Sequence, residues 1–142
     1  MSIIKVSMNN EVTIHEIPNE AYLEFNEELY SLIGNGCVLL EHVMPKRLYK
    51  ELKHSNDPYT GKGISMLVDE EGCLKPNEMN VIASWLYETD KHNMPIMGNV
   101  LFVGEMFKDN GICFCGLDKE VEEKLYLQLT ELAKKFNGKE DF

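Results

Sequence analysis

Arginine is almost missing from this chain. Arg47 is the only one in 142 residues, and 24 acidic side chains against 14 basic ones give a formal net charge of −10. Proteins that bind the nucleic-acid backbone are normally basic and use several arginines. The composition therefore argues against direct binding of nucleic acid. It suits a partner protein with a basic surface, and it equally suits simple solubility.

Long apolar runs are also missing. No stretch approaches the roughly 18 residues that a helix needs to cross a bilayer, and residues 1–5 carry no charged leader ahead of an apolar segment. We therefore expect no membrane contact, no signal peptide and a cytoplasmic location. In that compartment cysteines are normally reduced thiols rather than disulfides. The cysteines are Cys37, Cys73, Cys113 and Cys115.

Metal ligands and catalytic groups show no recognisable spacing. Cys113 and Cys115 are separated by one residue, whereas a zinc site uses cysteine pairs at wider spacing and usually a second pair. The acidic run 69–71 is too short for a calcium loop, which spreads its ligands over about 12 residues. The histidines are scattered, and none lies in a nucleophile motif. We expect no metal, no cofactor and no enzymatic activity, while the roles of Cys73, Cys113 and Cys115 stay open at this point.

The composition is that of a folded α+β domain. Apolar residues make up 44% of the chain and charged residues 27%, which is typical of globular proteins. Alternating apolar residues predict strands, and apolar residues at three- and four-residue steps predict helices. We expect one domain over residues 1–142, with a mixed or antiparallel sheet of roughly five to six strands and two to three helices packed mainly on one face.

Strands and helices are expected to alternate along the chain. The strands are predicted at 2–8, 11–17, 37–43, 64–68, 98–107 and 112–115. The helices are predicted at 19–33, 77–88 and 118–137, with one or two further turns over 46–52. Asn9-Asn10 supplies the tight turn of a first hairpin, and Asp109-Asn110-Gly111 that of a second. The strand over 37–43 starts with a continuous apolar run, which is typical of a central strand.

Five short blocks of the sequence carry a family resemblance. The blocks are Ile17-Pro18, residues 33–38, residues 66–72, Asn80 with Ala83, and residues 96–104. On these residues the chain resembles the family known as domain of unknown function 3846, found in phages, prophages and plasmids, over about residues 1–107. The segment 44–63 departs from that pattern as an insertion, and residues 108–137 depart from it as an added hairpin and helix. The resemblance implies an origin in a mobile element, whose accessory proteins often interfere with host defence.

Acidic residues are concentrated on the helix predicted over 19–33. No lysine or arginine lies between Lys5 and Lys46. Carboxylates four residues apart on a helix repel each other, which costs about 0.2–0.5 kcal/mol per pair. Such a stripe can take the place of backbone phosphates in a basic protein groove, although a plainly solvated face is the alternative. The residues expected to contact a basic partner are Glu20, Glu24, Glu27 and Glu28, together with the acidic turn Asp69, Glu70 and Glu71.

Basic and aromatic residues are concentrated in the segment 44–63. Cationic and aromatic side chains together can hold a small phosphorylated ligand by charge pairing and stacking, although a surface loop is the alternative. The residues expected to bind such a ligand are Lys46, Arg47, Tyr49, Lys50 and Tyr59.

Together these patterns predict a non-enzymatic, acidic binding protein of a phage or other mobile element. Its expected role is to inhibit a host nucleic-acid-processing defence system by protein–protein contact, in the cytoplasm of the bacterial host. The alternative is a binding protein that sequesters a small phosphorylated or nucleotide ligand. Assembly into a homo-oligomer stays open at this point.

Overall fold

Six strands and five helices make up the fold in the residues that the computed structural model describes, which are 1–17, 22–108 and 111–137. The strands are β1 (Ser2–Val6), β2 (Val12–Glu16), β3 (Leu40–Val43), β4 (Ile64–Asp69), β5 (Val100–Lys108) and β6 (Gly111–Cys115). The helices are α1 (Tyr22–Ile33), α2 (Lys46–Lys50), α3 (Val81–Leu86), α4 (Thr89–His92) and α5 (Lys119–Asn137). Short 3-10 turns lie at Pro58–Thr60 and Gly72–Leu74. The expected α+β class and strand number are confirmed, and the extra helices are short pieces.

The strands form one antiparallel sheet in the order β2-β1-β5-β4-β3. The long strand β5 pairs with β4 along one side. Along its other side it pairs first with β1, where Val100 lies opposite Val6, and then with β6, where Gly104 lies opposite Cys115. Both predicted hairpins, β1–β2 and β5–β6, are therefore present.

Successive side chains of the central strands enter two separate cores. On one face, here called the α5 face, Met66 and Phe102 pack with side chains of α3 and α5. On the opposite face, the α1 face, Leu67 and Leu101 pack against Leu29 and other residues of α1. This alternation follows from the two-residue repeat of a strand, and burying a large apolar side chain stabilises the fold by roughly 2 kcal/mol. Helices α2, α3 and α5 lie on the α5 face, and α1 lies on the other.

The last helix contributes much of the α5-face core. Its first turn contains Glu120 and Glu122 and its last turn Lys134 and Lys135, an order that opposes the helix dipole favourably. The buried residues recur at helical spacing and include Val121, Leu125, Leu129 and Leu132. None of the helices in the described residues is both long and apolar enough to span a membrane.

The strand predicted over 37–43 lies in a different place from the one expected. Only Leu40–Val43 forms β3, and β3 is the outermost strand on its side of the sheet. The prediction of a central strand was wrong because the apolar run before β3 is not uniformly buried. Cys37 enters the α1-face core, whereas Val38 and Leu39 are 62% and 50% exposed.

The helix predicted over 77–88 is shorter in the structure, where α3 covers only Val81–Leu86 and a separate helix, α4, begins after it at Thr89. Asn80 caps α3 by accepting a hydrogen bond from the Ala83 amide at 3.0 Å. Glu88 adopts a φ of 63°, a left-handed conformation that ends α3 and begins α4. No glycine or proline lies between Val81 and Met94, so the sequence pattern contained no break at this position.

Candidate functional site

The predicted acidic helix stripe is described only in part. Glu20 lies outside the described residues, and so does the side chain of Glu24. Glu27 and Glu28 are exposed on α1. Burial and the charge of Lys5 lower the pKa of His15 in β2. The charge of Glu28 acts in the opposite direction and partly offsets this lowering.

The acidic turn after β4 contains residues in three different environments. Asp69 is buried, its Oδ2 lies 2.7 Å from Nζ of Lys75, and its Oδ1 accepts a hydrogen bond from the Glu71 amide. The hydrogen bond that Lys75 donates to Asp69 raises the pKa of Lys75. Glu71 is half-buried, whereas Glu70 is exposed. The Asp69 carboxylate is therefore used within the fold, and Glu70 is the member of the turn that faces outwards most freely.

The fold brings Glu41 next to Glu70. The Glu70 amide donates to the Leu39 carbonyl at 3.0 Å, and Glu41 lies opposite Val68 in the β3–β4 pairing. Glu41 and Glu70 are therefore diagonal neighbours on the α5 face, at a spacing of about 7–8 Å between their positions. Both line one small crevice of about 60 Å³. Neither has a lysine or arginine at ion-pair distance in the described part of the chain.

Exposed apolar side chains lie close in sequence to both carboxylates. Val38 and Leu39 immediately precede β3, and Leu74, which is 83% exposed, lies in the 3-10 turn that follows Glu70 and Glu71. We call the surface formed by Val38, Leu39, Glu41, Glu70 and Leu74 the acidic edge. Sequence reasoning singled out Glu70 but missed Glu41, because the two meet only through strand pairing.

Most of the predicted ligand-binding residues already have partners inside the protein. Arg47 is 13% exposed and contacts the Asp90 carboxylate, the Glu51 carboxylate and the Trp85 carbonyl. Tyr49 donates its hydroxyl proton to the Ile64 carbonyl at 2.7 Å, and burial raises the pKa of that hydroxyl.

Of the remaining three predicted ligand-binding residues, Lys46 and Lys50 lie four residues apart on α2, whereas Tyr59 lies in the separate 3-10 turn Pro58–Thr60. Lys50 lies 3.9 Å from the Glu88 carboxylate. Tyr59 is 74% exposed and packs on Phe107 with ring centroids 5.0 Å apart. Lys46 is exposed and lines a cleft beside β3. The structure therefore does not gather the predicted set in one pocket.

The cleft beside β3 has a volume of about 440 Å³ and mixed polarity. Its deepest carboxylate, Glu88, is buried and lies 2.7 Å from Nζ of Lys91, and this hydrogen bond holds the pKa of Glu88 below its usual value. The edge of His92 packs on Tyr87 at 4.8 Å between ring centroids. The lining residues are Glu41, His42, Val43, Met44, Lys46, Tyr87, Glu88, Lys91 and His92.

A buried carboxylate, which no sequence pattern indicated, lies on the α1 face. Glu105 of β5 is 4% exposed and accepts a hydrogen bond from the hydroxyl of Ser65, which is fully buried. Nε2 of His42 lies 3.8 Å from the same carboxylate, and the edge of the His42 ring packs on Phe114. Ser65 has no solvent access, so this cluster presents no accessible nucleophile.

The cysteines are free thiols in the structure. Cys113 lies opposite Met106 and Cys115 opposite Gly104 in the β5–β6 pairing, so both thiols lie on one face of the sheet, as expected from their spacing. Burial raises the pKa of the Cys115 thiol. In the described ranges, no group of three or more His, Cys, Asp or Glu side chains is arranged to hold a metal ion.

Comparison with known proteins yields no match. No protein-family model, no curated protein sequence and no solved structure matches the chain. The acidic edge and the cleft beside β3 are thus interpreted from their own geometry and chemistry.

Proposed function

We propose that this chain is a non-enzymatic binding protein whose acidic edge contacts a basic surface of a partner protein. The observation that carries the proposal is the diagonal placement of Glu41 on β3 and Glu70 at the end of β4. These two carboxylates are exposed and adjacent and have no basic partner in the described residues, whereas Asp69, Glu88 and Asp90 are all ion-paired.

The exposed apolar residues of the acidic edge support the same interpretation. Val38, Leu39 and Leu74, each within four residues of Glu41 or Glu70 in the sequence, offer exposed apolar surface. Apolar contacts supply most of the affinity of an interface, and complementary charge sets its specificity and association rate. A surface with both features suits a partner that presents a basic, partly apolar groove.

The resemblance to the phage and plasmid family supports a more specific version of this proposal. A host nucleic-acid-processing defence protein has a basic groove that normally holds phosphates, and an acidic protein docked there excludes the nucleic acid. We accordingly propose that the chain acts in the cytoplasm of a bacterial host as an inhibitor of such a protein.

Charge reversal at the acidic edge tests the proposal. The variant Glu41→Lys/Glu70→Lys is compared with the control Glu123→Lys/Glu131→Lys, which changes the net charge equally on the exposed surface of α5. Each protein is immobilised on a solid support and incubated with bacterial lysate at several salt concentrations. The captured proteins are then quantified by mass spectrometry. We expect the wild type and the control to capture the same partner. The acidic-edge variant should capture at least about tenfold less of that partner.

Two outcomes of the capture experiment are decisive. Equal capture by the acidic-edge variant and the control, with unchanged salt dependence, would show that this surface is not the contact. A third variant, Glu27→Lys/Glu28→Lys, reports on the helix α1 separately. Loss of capture in that variant alone would move the contact from the acidic edge to α1.

A second candidate function is the binding of a small phosphorylated ligand in the cleft beside β3. The observation that favours it is the cleft itself, because its volume of about 440 Å³ lies within the usual range of ligand pockets, about 300–1,000 Å³. Lys46 and Lys91 supply positive charge there, and Tyr87 offers an aromatic ring.

Calorimetry with linear and cyclic nucleotides separates this candidate from the first. If the cleft holds the ligand, Lys46→Ala abolishes the heat of binding, and the control Lys135→Ala on α5 leaves it unchanged. Heat that survives in the Lys46 variant would count against the cleft. Arg47 variants are expected to change stability rather than binding, because Arg47 is engaged with Asp90 and Trp85.

A further inference from the structure

Strand β3 presents an unpaired hydrogen-bonding edge. It stands at the end of the strand order, and no described residue forms a strand beyond it. The Glu70 amide donates to the Leu39 carbonyl, so residues 39, 41 and 43 direct their main-chain groups towards β4. Because antiparallel pairing alternates along a strand, the main-chain groups of Leu40 and His42 point away from the sheet.

The side chains along this edge differ between the two faces of the sheet. On the α5 face, the edge presents Leu39 and Glu41, with Glu70 one strand further in. On the α1 face it presents Leu40 and the ring of His42. An added strand would lie about 4.8 Å from β3. Its side chains would then be adjacent to carboxylates on one face and to apolar groups on the other.

Charge decides which kind of strand fits. A second copy of this chain, paired β3 to β3, would bring two Glu41 carboxylates towards each other, and like charges across a strand pair are unfavourable. An acidic residue on an edge strand is a common protection against such self-pairing. Strand β2, at the opposite end of the strand order, differs because its Glu16 lies 3.6 Å from the N-terminal ammonium group.

We infer that β3 accepts an extended segment of the partner as an added strand, and that this segment alternates basic and apolar residues. The basic side chains contact Glu41 and Glu70, and the apolar ones contact Leu40 and the ring of His42. Main-chain hydrogen bonds from Leu40 and His42 hold the segment in register. This inference rests on the proposed function, because it specifies how the acidic edge recognises its partner.

The test uses a synthetic eight-residue peptide of alternating lysine and valine with blocked ends, titrated into the full chain labelled with nitrogen-15. We expect the backbone amides of Leu40 and His42 to show the largest chemical-shift changes and to exchange more slowly with solvent. The amides of β2 serve as the internal control and should not change. Largest changes at β2, or no changes anywhere, would overturn the inference.

Two altered peptides distinguish this inference from the proposed function. A peptide methylated on the backbone nitrogens that face β3 should bind at least about tenfold more weakly. A peptide with glutamate in place of lysine should not bind. If the methylated peptide binds equally well, strand addition is wrong while the acidic edge stands. If the glutamate peptide binds equally well, the charge argument behind the proposed function is wrong.

A protein variant completes the test. Glu41→Gln keeps the shape of the side chain and removes its charge. We expect this variant to bind the lysine–valine peptide about tenfold more weakly, with a smaller dependence of binding on salt. The matched control is Glu123→Gln on α5, which should bind like the wild type. Equal weakening in both variants would mean that net charge, rather than the acidic edge, attracts the peptide.

Discussion

The guanidinium of Arg47 makes two parallel hydrogen bonds to the carboxylate of Asp90, with Nη1–Oδ1 at 2.6 Å and Nη2–Oδ2 at 2.9 Å. The same group donates to the Trp85 carbonyl at 2.8 Å and lies 5.1 Å from the centroid of the Trp85 ring. One side chain of α2 thus joins α3 and α4. The chain's single arginine supports the structure where sequence reasoning expected a ligand contact.

We predict that Arg47→Lys lowers the free energy of unfolding by about 1–2 kcal/mol, because an ammonium group cannot both donate to the Trp85 carbonyl and lie over the Trp85 ring as the planar guanidinium does. Most of this loss is assigned to the Trp85 contacts, since Asp90 is exposed and its ion pair is weakened by solvent. Chemical denaturation measures it. The control is Lys46→Ala, which should stay within about 0.5 kcal/mol of the wild type. Equal losses in both variants would contradict the prediction.

The Arg47–Asp90 pair also predicts a pH dependence. Its hydrogen bond lowers the pKa of Asp90 from 3.8 to about 2. Because the pKa is lower in the folded state, the pair stabilises the fold above pH 3.8 and loses this effect as the pH falls towards about 2. Wild type and Asp90→Asn, compared by thermal unfolding, should differ at neutral pH and converge in that acidic window. A difference that stays constant with pH would refute the assignment.

Asn80 connects three elements through one buried amide. Its Nδ2 donates to the Val6 and Gly98 carbonyls, and its Oδ1 accepts from the Ala83 amide, each at 3.0 Å. We predict that Asn80→Ala destabilises the protein by about 2–4 kcal/mol, because the cap is lost and buried carbonyls lose their donor. Asn80→Asp should be no better, since a carboxylate would face two carbonyls. A fully stable aspartate variant would contradict the geometry.

The carboxylate of Glu105 is predicted to lower the stability of the fold relative to an amide at the same position. Its carboxylate is buried, and within the described residues it lies near His42 but near no lysine or arginine. Glu105→Gln keeps an oxygen for the Ser65 hydroxyl and removes the charge, so we expect stability to rise by about 1 kcal/mol. Glu105→Ala should lower it by about 1–3 kcal/mol, because Ser65 loses its partner. Thermal unfolding of the two variants decides between these directions.

The thiols are predicted to react at different rates. Cys73 is exposed, whereas Cys37 is buried, and burial followed by the Asp69 charge raises the pKa of Cys37. Since the thiolate is the reactive form, iodoacetamide should modify Cys73 first and Cys37 last in the native protein. Peptide mass spectrometry over time measures the order, and Cys73→Ser should remove the fast phase. Simultaneous modification of both would contradict the burial of Cys37.

Local patterns in the sequence predicted the elements whose signals are local. The turn of the first hairpin needed a positive φ, and Asn10 adopts 64°, as its side chain allows. The dipole order of α5 likewise marked both ends of that helix. The edge position of β3 depends on which strand lies beside it, and no local pattern contains that information.

The candidate site was less predictable for the same reason. The basic side chains of segment 44–63 are adjacent in the sequence, but their acidic partners Glu88 and Asp90 come from α4 and its cap, far along the chain. Likewise Glu41 meets Glu70 only through the β3–β4 pairing. The sequence indicated acidic and basic clusters, and the folded contacts decided which charges remain unpaired.

The central position of β5 has a consequence for synthesis of the protein. Before β5 leaves the ribosome, only two separate strand pairs can form, the hairpin β1–β2 and the pair β3–β4, and the strand edges that will contact β5 have no partner. Neither can complete a core, because β5 supplies the pairing that joins Val6 to Val100 and Met66 to Phe102. Such open edges are prone to pair with other chains. We therefore expect the chain to be most prone to association with other chains in the interval between translation of β4 and β5.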